Sequence, residues 1–142
     1  MRDIFKFEKL AKYPHMKPAD VLIWEKFIDK YPFAYESVQY DFSVGDPPPF
    51  NPLMPDGEDL NQDALYRLKI DVVGHSGPNI DIIELKPKAG PSSLGQARSY
   101  RHLYIRDEEL EEEPRAVVIT DTLMPNMEYM AKAEGVKLIV VD

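Results

Sequence analysis

Asp71, Glu84, Lys86 and Lys69 are the side chains whose types and spacing could do chemistry together. The stretch Ile80-Asp81-Ile82-Ile83-Glu84-Leu85-Lys86-Pro87 reads as an apolar strand with a carboxylate and an ammonium two residues apart near its end. Successive strand side chains point to opposite faces, so Glu84 and Lys86 share one face, roughly 7 Å apart, and Ile83 and Leu85 take the other. A hairpin turn centred on Gly77-Pro78 then sets Asp71 opposite Glu84 and Lys69 opposite Lys86, and sends Ile70, Val72, Ile83 and Leu85 together to an apolar core face. Directly opposed carboxylates have β-carbons only about 4.5 to 5.5 Å apart, and like charges so placed are destabilising. Something positive must compensate. A divalent cation such as Mg²⁺ suits two carboxylates that leave positions for water and a phosphate oxygen. A surface lattice in which Lys69 and Lys86 neutralise the acids meets the same need, each pair being worth ~0–1 kcal/mol.

These residues need elements to hold them. Pro18 at a first helical position, Asp20 in the first turn, and Val21, Trp24, Phe27, Ile28 and Tyr31 at helical spacing predict an amphipathic helix ending before Pro32, with Glu25 beside its apolar stripe. Over residues 35–44, Val38, Tyr40, Phe42 and Val44 alternate with polar residues, the pattern of a half-buried strand. Residues 45–62 form a long loop with Pro47-Pro48-Pro49, Pro52, Pro55 and Gly57, the composition of a mobile or functional excursion. A second strand over 65–73, a turn over 74–79 and a third strand over 80–86 follow. Ser93 and Gln96 fit a capping box opening a second helix over 94–105. A strand over 115–120, a helix over 125–133 stopped by Gly135, and a last buried strand over 136–141 complete the order αβββαβαβ. That order predicts an α/β fold with a central mixed sheet flanked by helices, and the length suits a single domain over 1–142.

The arrangement resembles the PD-(D/E)XK nuclease superfamily, the restriction-endonuclease-like fold, through most of the chain. Asp71 matches the isolated acid at the end of the second strand, and Glu84-Leu85-Lys86 the E-x-K of the third. Gln96-Ala97-Arg98-Ser99-Tyr100 matches the Q-x-x-x-Y of the exonuclease and RecB-like branches. Ile70 stands where the eponymous proline would precede the acid. The resemblance implies an αβββαβ core, here with an additional C-terminal αβ, and a metal-dependent deoxyribonuclease using Mg²⁺ or Mn²⁺. Asp71 and Glu84 would hold the metal with Glu25 as an auxiliary ligand, Lys86 would activate water, and Gln96 would orient it. Gln96, Tyr100, Arg98 and Arg101 would contact DNA. Hydrolysing a phosphodiester needs a nucleophile near neutral pH and positive charge on the transition state, which a carboxylate-held cation supplies. From a different class, the same fold without turnover would be a nucleic-acid-binding or assembly module of a virus or mobile element.

Composition bounds the partners. The chain has 142 residues, 44% hydrophobic and 30% charged, with net charge −8, which argues against phosphate partners until its distribution is seen. Six acids lie in the run 107–113, read as an acidic loop that keeps nucleic acid off one flank or marks a protein contact. There is no cysteine, hence neither disulfide nor thiolate metal site. His15, His75 and His102 lack metal-ligand spacing. Trp24, Tyr35, Tyr40 and Tyr66, and Met124, Met127 and Met130, are expected in core packing rather than base stacking. No stretch approaches the ~20 apolar residues of a membrane span, so a cytoplasmic protein, in a host cell if viral, is expected, free of membranes and capable of homodimerising.

Overall fold

The structure, a computed structural model, describes residues 2–47 and 67–142. Their elements are β1 (Phe5–Lys6), α1 (Pro18–Lys30), β2 (Ser37–Val44), β3 (Leu68–Ser76), β4 (Asn79–Leu85), α2 (Pro91–Asp107), β5 (Arg115–Thr120), α3 (Met127–Glu134) and β6 (Lys137–Val140). Among the described residues the strands form one six-stranded sheet in sequence order, antiparallel from β1 to β4 and parallel from β4 to β6. The α/β class, the mixed sheet and the flanking helices agree with the sequence pattern. β1 is an addition, two residues pairing with Ser37 and Val38, too short for any periodicity to reveal. The long loop expected over 45–62, and Tyr66, lie mostly or wholly outside the described residues.

The β3–β4 hairpin positions the site. Its turn is Gly77-Pro78, shorter than expected, because β3 runs on to Ser76 and β4 starts at Asn79. Gly77 has φ of 56°, which with a following proline fixed near −65° suits the tight turn that matches the twist of two strands. The register is the expected one: Ser76 pairs with Asn79 and Val72 with Ile83.

The sheet is buried on both faces, which corrects the expectation of one apolar and one charged face. Trp24, Phe27 and Ile28 of α1 pack on Val38, Tyr40, Val72, Ile83, Leu85, Val117 and Ile119. The opposite face carries two clusters. Val73 and Ile82 lie with Tyr104 of α2, and Val118 and Ala116 lie with Leu94, Ala97, Met127 and Ala131 of α2 and α3. A strand covered on both sides reads as a continuous apolar run, and Ile82-Ile83 is such a run. Ile70, expected beside Val72, instead joins Phe42, Val44 and Val73 under α2. Val38 and Tyr40 face α1 whereas Phe42 and Val44 face α2, so β2 switches faces across Asp41, whose φ is 51°. The switch adds no residue to either strand, since Tyr40 pairs with Val72 and Phe42 with Ile70 on either side of it. Asp41 and Asp71 sit opposite each other at the crossing point.

Helix boundaries follow their chemistry. Pro18 opens α1 with an extended Lys17 before it. Pro91, not Leu94, opens α2 behind Gly90, so the expected capping box is absent: Ser93 is buried inside the first turn and Gln96 points along the helix. Asp107 still belongs to α2, so the acidic run begins within a helix. It is partly tied down, since Asp107 accepts the Gly45 N–H at 2.8 Å and Glu108 pairs with Arg2 at 2.6 Å. Gly135, φ 70°, ends α3 as its sequence position suggested. Trp24 and Tyr40 are fully buried and joined by an Nε1–H donated to Oη at 2.9 Å. Met127 and Met130 pack in the core, but Met124 is exposed, because it precedes α3 in the connecting turn. Among the described residues no helix is long and apolar enough to cross a membrane.

Candidate metal and catalytic site

Asp71 and Glu84 meet where the hairpin ladder opens. The paired residues end at Val72 and Ile83, and one step further the Asp71 carboxylate replaces a backbone partner, its Oδ2 accepting the Leu85 N–H at 2.9 Å. On the other side β4 stays zipped to β5, with Glu84 beside Val118 and the Lys86 N–H donating to the Ile119 carbonyl at 3.0 Å. Glu84 is thus gripped by a continuous ladder on one edge and faces a carboxylate on the other. It is buried, and Asp71 is half-buried.

Burial governs the charge state of the pair. Burial, reinforced by the charge of Asp71 and a hydrogen bond with it, pushes Glu84 up to about 10. Asp71 rises to about 6, again mainly through burial, with the Leu85 N–H pulling the other way. At neutral pH the two carboxyls therefore share one proton between them. Glu84 Oε1 is buried and has no hydrogen-bond partner. An orphaned carboxyl oxygen beside an ionised carboxylate is a place where a cation replaces a proton, and two oxygen ligands plus waters satisfy Mg²⁺. The donor set fits such an ion.

The other expected site residues divide into two groups. Gln96 and Tyr100 belong with the pair: Gln96 donates to Tyr100 Oη at 3.1 Å, and the charges of Glu84 and Asp71 both act on Tyr100, which burial raises. Lys86 is exposed at the end of β4 and interacts with Asp20. Glu25 is engaged elsewhere, accepting from Tyr13 Oη at 2.9 Å. The α1 acid whose charge reaches both Asp71 and Glu84 is Asp20. Five residues turn a helix by about 140°, so Asp20 and Glu25 cannot serve the same side. Asp20 looked like an ordinary first-turn acid; only its position at the helix end nearest the open ends of β3 and β4 singles it out. Arg98 and Arg101 are separated from Gln96 and Tyr100. Arg98 pairs with Glu134, and Arg101 pairs with Glu113 and donates to the Pro114 carbonyl. Both line a cavity of about 730 Å³ with Asp81 and Arg115, at the start of β4 and β5.

Sequence reasoning also missed the clamps behind Lys86. Thr120 Oγ1 accepts the Ala89 N–H at 3.0 Å, and Asp121 Oδ1 accepts the Lys88 N–H at 2.9 Å, fixing Lys88 at a φ of 46°. Asp41, opposite Asp71, lies 3.7 Å from Lys69. Lys69 therefore serves Asp41 rather than the Asp71–Glu84 pair.

No family model matches the sequence, and no curated protein matches it. A solved EndoMS–dsDNA2 complex does match in structure, with a TM-score of 0.51 at 14% sequence identity. The chain is similar in fold to EndoMS. The match covers 94% of this chain and 49% of the other, so the chain spans about half the length of the solved protein. The EndoMS likeness is one of fold.

Proposed function

We propose that the chain is a divalent-metal-dependent nuclease of the PD-(D/E)XK type that hydrolyses DNA phosphodiester bonds. The observation that carries this reading is the buried Asp71–Glu84 pair with its orphaned Glu84 Oε1, at the open end of a hairpin. The likeness to EndoMS, solved with double-stranded DNA, supports DNA as the partner. Asp71 and Glu84 would hold Mg²⁺ or Mn²⁺, which when bound supplies a nucleophile near neutral pH and positive charge for the transition state. The Leu85 N–H fixes the rotamer of Asp71, and the β5 ladder fixes the backbone of Glu84. Lys86 would place an ammonium at the mouth of the site, able to donate to the attacking water and orient it or to rest on a phosphate oxygen. Gln96, held to Tyr100, would turn its amide toward the same space.

A second reading keeps the fold without turnover, as a nucleic-acid-binding or assembly module. It is favoured by one observation: among the described residues no group of three or more His, Asp or Glu side chains is gathered to hold a metal. Cleavage of single-stranded, duplex and branched DNA with Mg²⁺ and Mn²⁺ separates the two. Asp71→Asn, Glu84→Gln and Lys86→Ala should each lose more than about 100-fold in rate while melting as cooperatively as the wild type. A wild type that cuts none of these substrates with either metal removes the enzymatic reading. Calorimetric titration with Mn²⁺ gives an independent answer, since stoichiometric binding lost in Glu84→Gln is foreign to a purely structural charge pair.

A further inference from the structure

The geometry points to a phosphate-backbone track for double-stranded DNA built from Lys17, Lys26, Lys86 and Lys88, ringing the mouth of the Asp71–Glu84 site, with Arg98 and Arg101 taking no part. It rests on DNA being the partner, and it locates the surface that meets it.

The four lysines come from three separate stretches. Lys17 immediately precedes α1, Lys26 lies within α1, and Lys86 and Lys88 follow β4. Two acids show that they converge. The charges of Lys17 and Lys86 both act on Asp20. Asp121 accepts the Lys88 backbone N–H and feels the charge of Lys26. Lys17 and Lys86 therefore share the surroundings of Asp20, and Lys88 and Lys26 those of Asp121. All four side chains are exposed, and among the described residues none makes an ion pair, so their ammoniums are available to a partner.

The arginines behave oppositely. Arg2 sits on Glu108, Arg98 on Glu134, Arg101 on Glu113, Arg106 on Asp46 and Asp107, and Arg115 on Asp81. A phosphate reaching any of them must first displace a carboxylate, whereas one reaching the lysines displaces only counterions, which is the favourable term in backbone binding. A chain of net charge −8 can thus hold a polyanion on one end alone.

The test is fluorescence anisotropy on a labelled duplex in EDTA, where no cutting occurs, over about 50 to 200 mM salt. The triple variant Lys17→Gln, Lys26→Gln, Lys88→Gln should bind more than about ten-fold more weakly at low salt, its log–log salt slope shallower by roughly 2.7. Arg98→Gln with Arg101→Gln should stay within about two-fold of wild type. A triple variant with wild-type affinity and slope overturns the track, as does a loss carried by the arginines or a wild type without salt-dependent binding. The nuclease reading stands or falls separately. A lysine-dependent binder that cuts nothing with Mg²⁺ or Mn²⁺ keeps the track and loses the enzyme, and a cutter whose affinity ignores these lysines does the reverse.

Discussion

Asp81 and Glu84 lie three residues apart on β4 and are almost equally buried, 4% and 5% exposed, but their surroundings are opposite. Asp81 takes both arms of Arg115, at 3.0 and 2.7 Å, and the hydroxyl of Tyr35 at 2.6 Å. Glu84 faces another carboxyl and leaves one oxygen without a partner. A buried charge that serves the fold is matched by countercharge and saturated by donors. One kept in a mismatched environment costs stability, and such sites are where function concentrates. The two ends of β4 thus separate a structural carboxylate from the one proposed as chemical on a single strand.

Removing each carboxylate gives the largest contrast. Asp81→Ala takes the acceptor from the half-exposed Arg115 guanidinium and the half-buried Tyr35 hydroxyl, and should cost about 1–3 kcal/mol of unfolding free energy. Glu84→Gln removes a proton-holding acid from beside Asp71 and should leave stability unchanged or raised, while abolishing metal binding. Denaturant titration of the two variants decides the matter. A Glu84→Gln chain destabilised as much as Asp81→Ala would make both carboxylates structural.

The pH dependence of stability is the next effect in size. The folded chain binds Asp71 and Glu84 protons more tightly than the unfolded chain, whose carboxyls titrate near ~4. Their contribution is therefore most favourable at low pH and is lost as pH rises, up to about 6 for Asp71 and up to about 10 for Glu84. His75 works the other way, since burial lowers its value and its cost disappears as pH rises through its unfolded range of ~6.5. Melting between about pH 7.5 and 9 isolates Glu84. In EDTA the melting temperature should fall across that interval, by roughly 3 °C for each kcal/mol. Mn²⁺ should flatten the slope by taking the place of the proton. Glu84→Gln should flatten it without metal, and a slope that survives this substitution would assign it to another group.

The sequence revealed the hairpin more fully than its surroundings. A two-residue turn and a period of two fix the β3–β4 register, so the opposition of Asp71 and Glu84 followed from Gly77-Pro78 alone. The face switch did not, because it depends on Asp41 adopting a left-handed backbone that leaves the apolar alternation of β2 untouched. The same blindness affected the helices. Gly90-Pro91 opened α2 earlier than Ser93 suggested, and the choice between Asp20 and Glu25 is a matter of which side of α1 packs, which spacing beside an apolar stripe did not decide. Arg98 and Arg101 carry positive charge in any reading of α2; that Glu134 and Glu113 neutralise them is long-range information, unavailable until α3 and the β5 approach are in place.

The smallest stability effect and the most selective functional one meet at Asp121. Its carboxylate holds the Lys88 N–H in a half-exposed loop, so Asp121→Ala should cost only about 0.5–1.5 kcal/mol. Lys88 is held in a conformation that residues with a β-carbon adopt reluctantly. Without the clamp the segment from Lys86 to Ala89 is free to relax, and the ammoniums of Lys86 and Lys88 lose their fixed direction. DNA cleavage should then fall by more than the stability loss explains, with the KM for DNA rising and Mn²⁺ affinity at Asp71 and Glu84 preserved. Asp121→Asn, which still offers an oxygen to the Lys88 N–H, should restore most of the activity. If Asn fails where geometry is retained, the charge of Asp121 rather than its clamp is what matters. In that case Asp121 belongs with Glu84 among the chemical carboxylates, not with Asp81 among the structural ones.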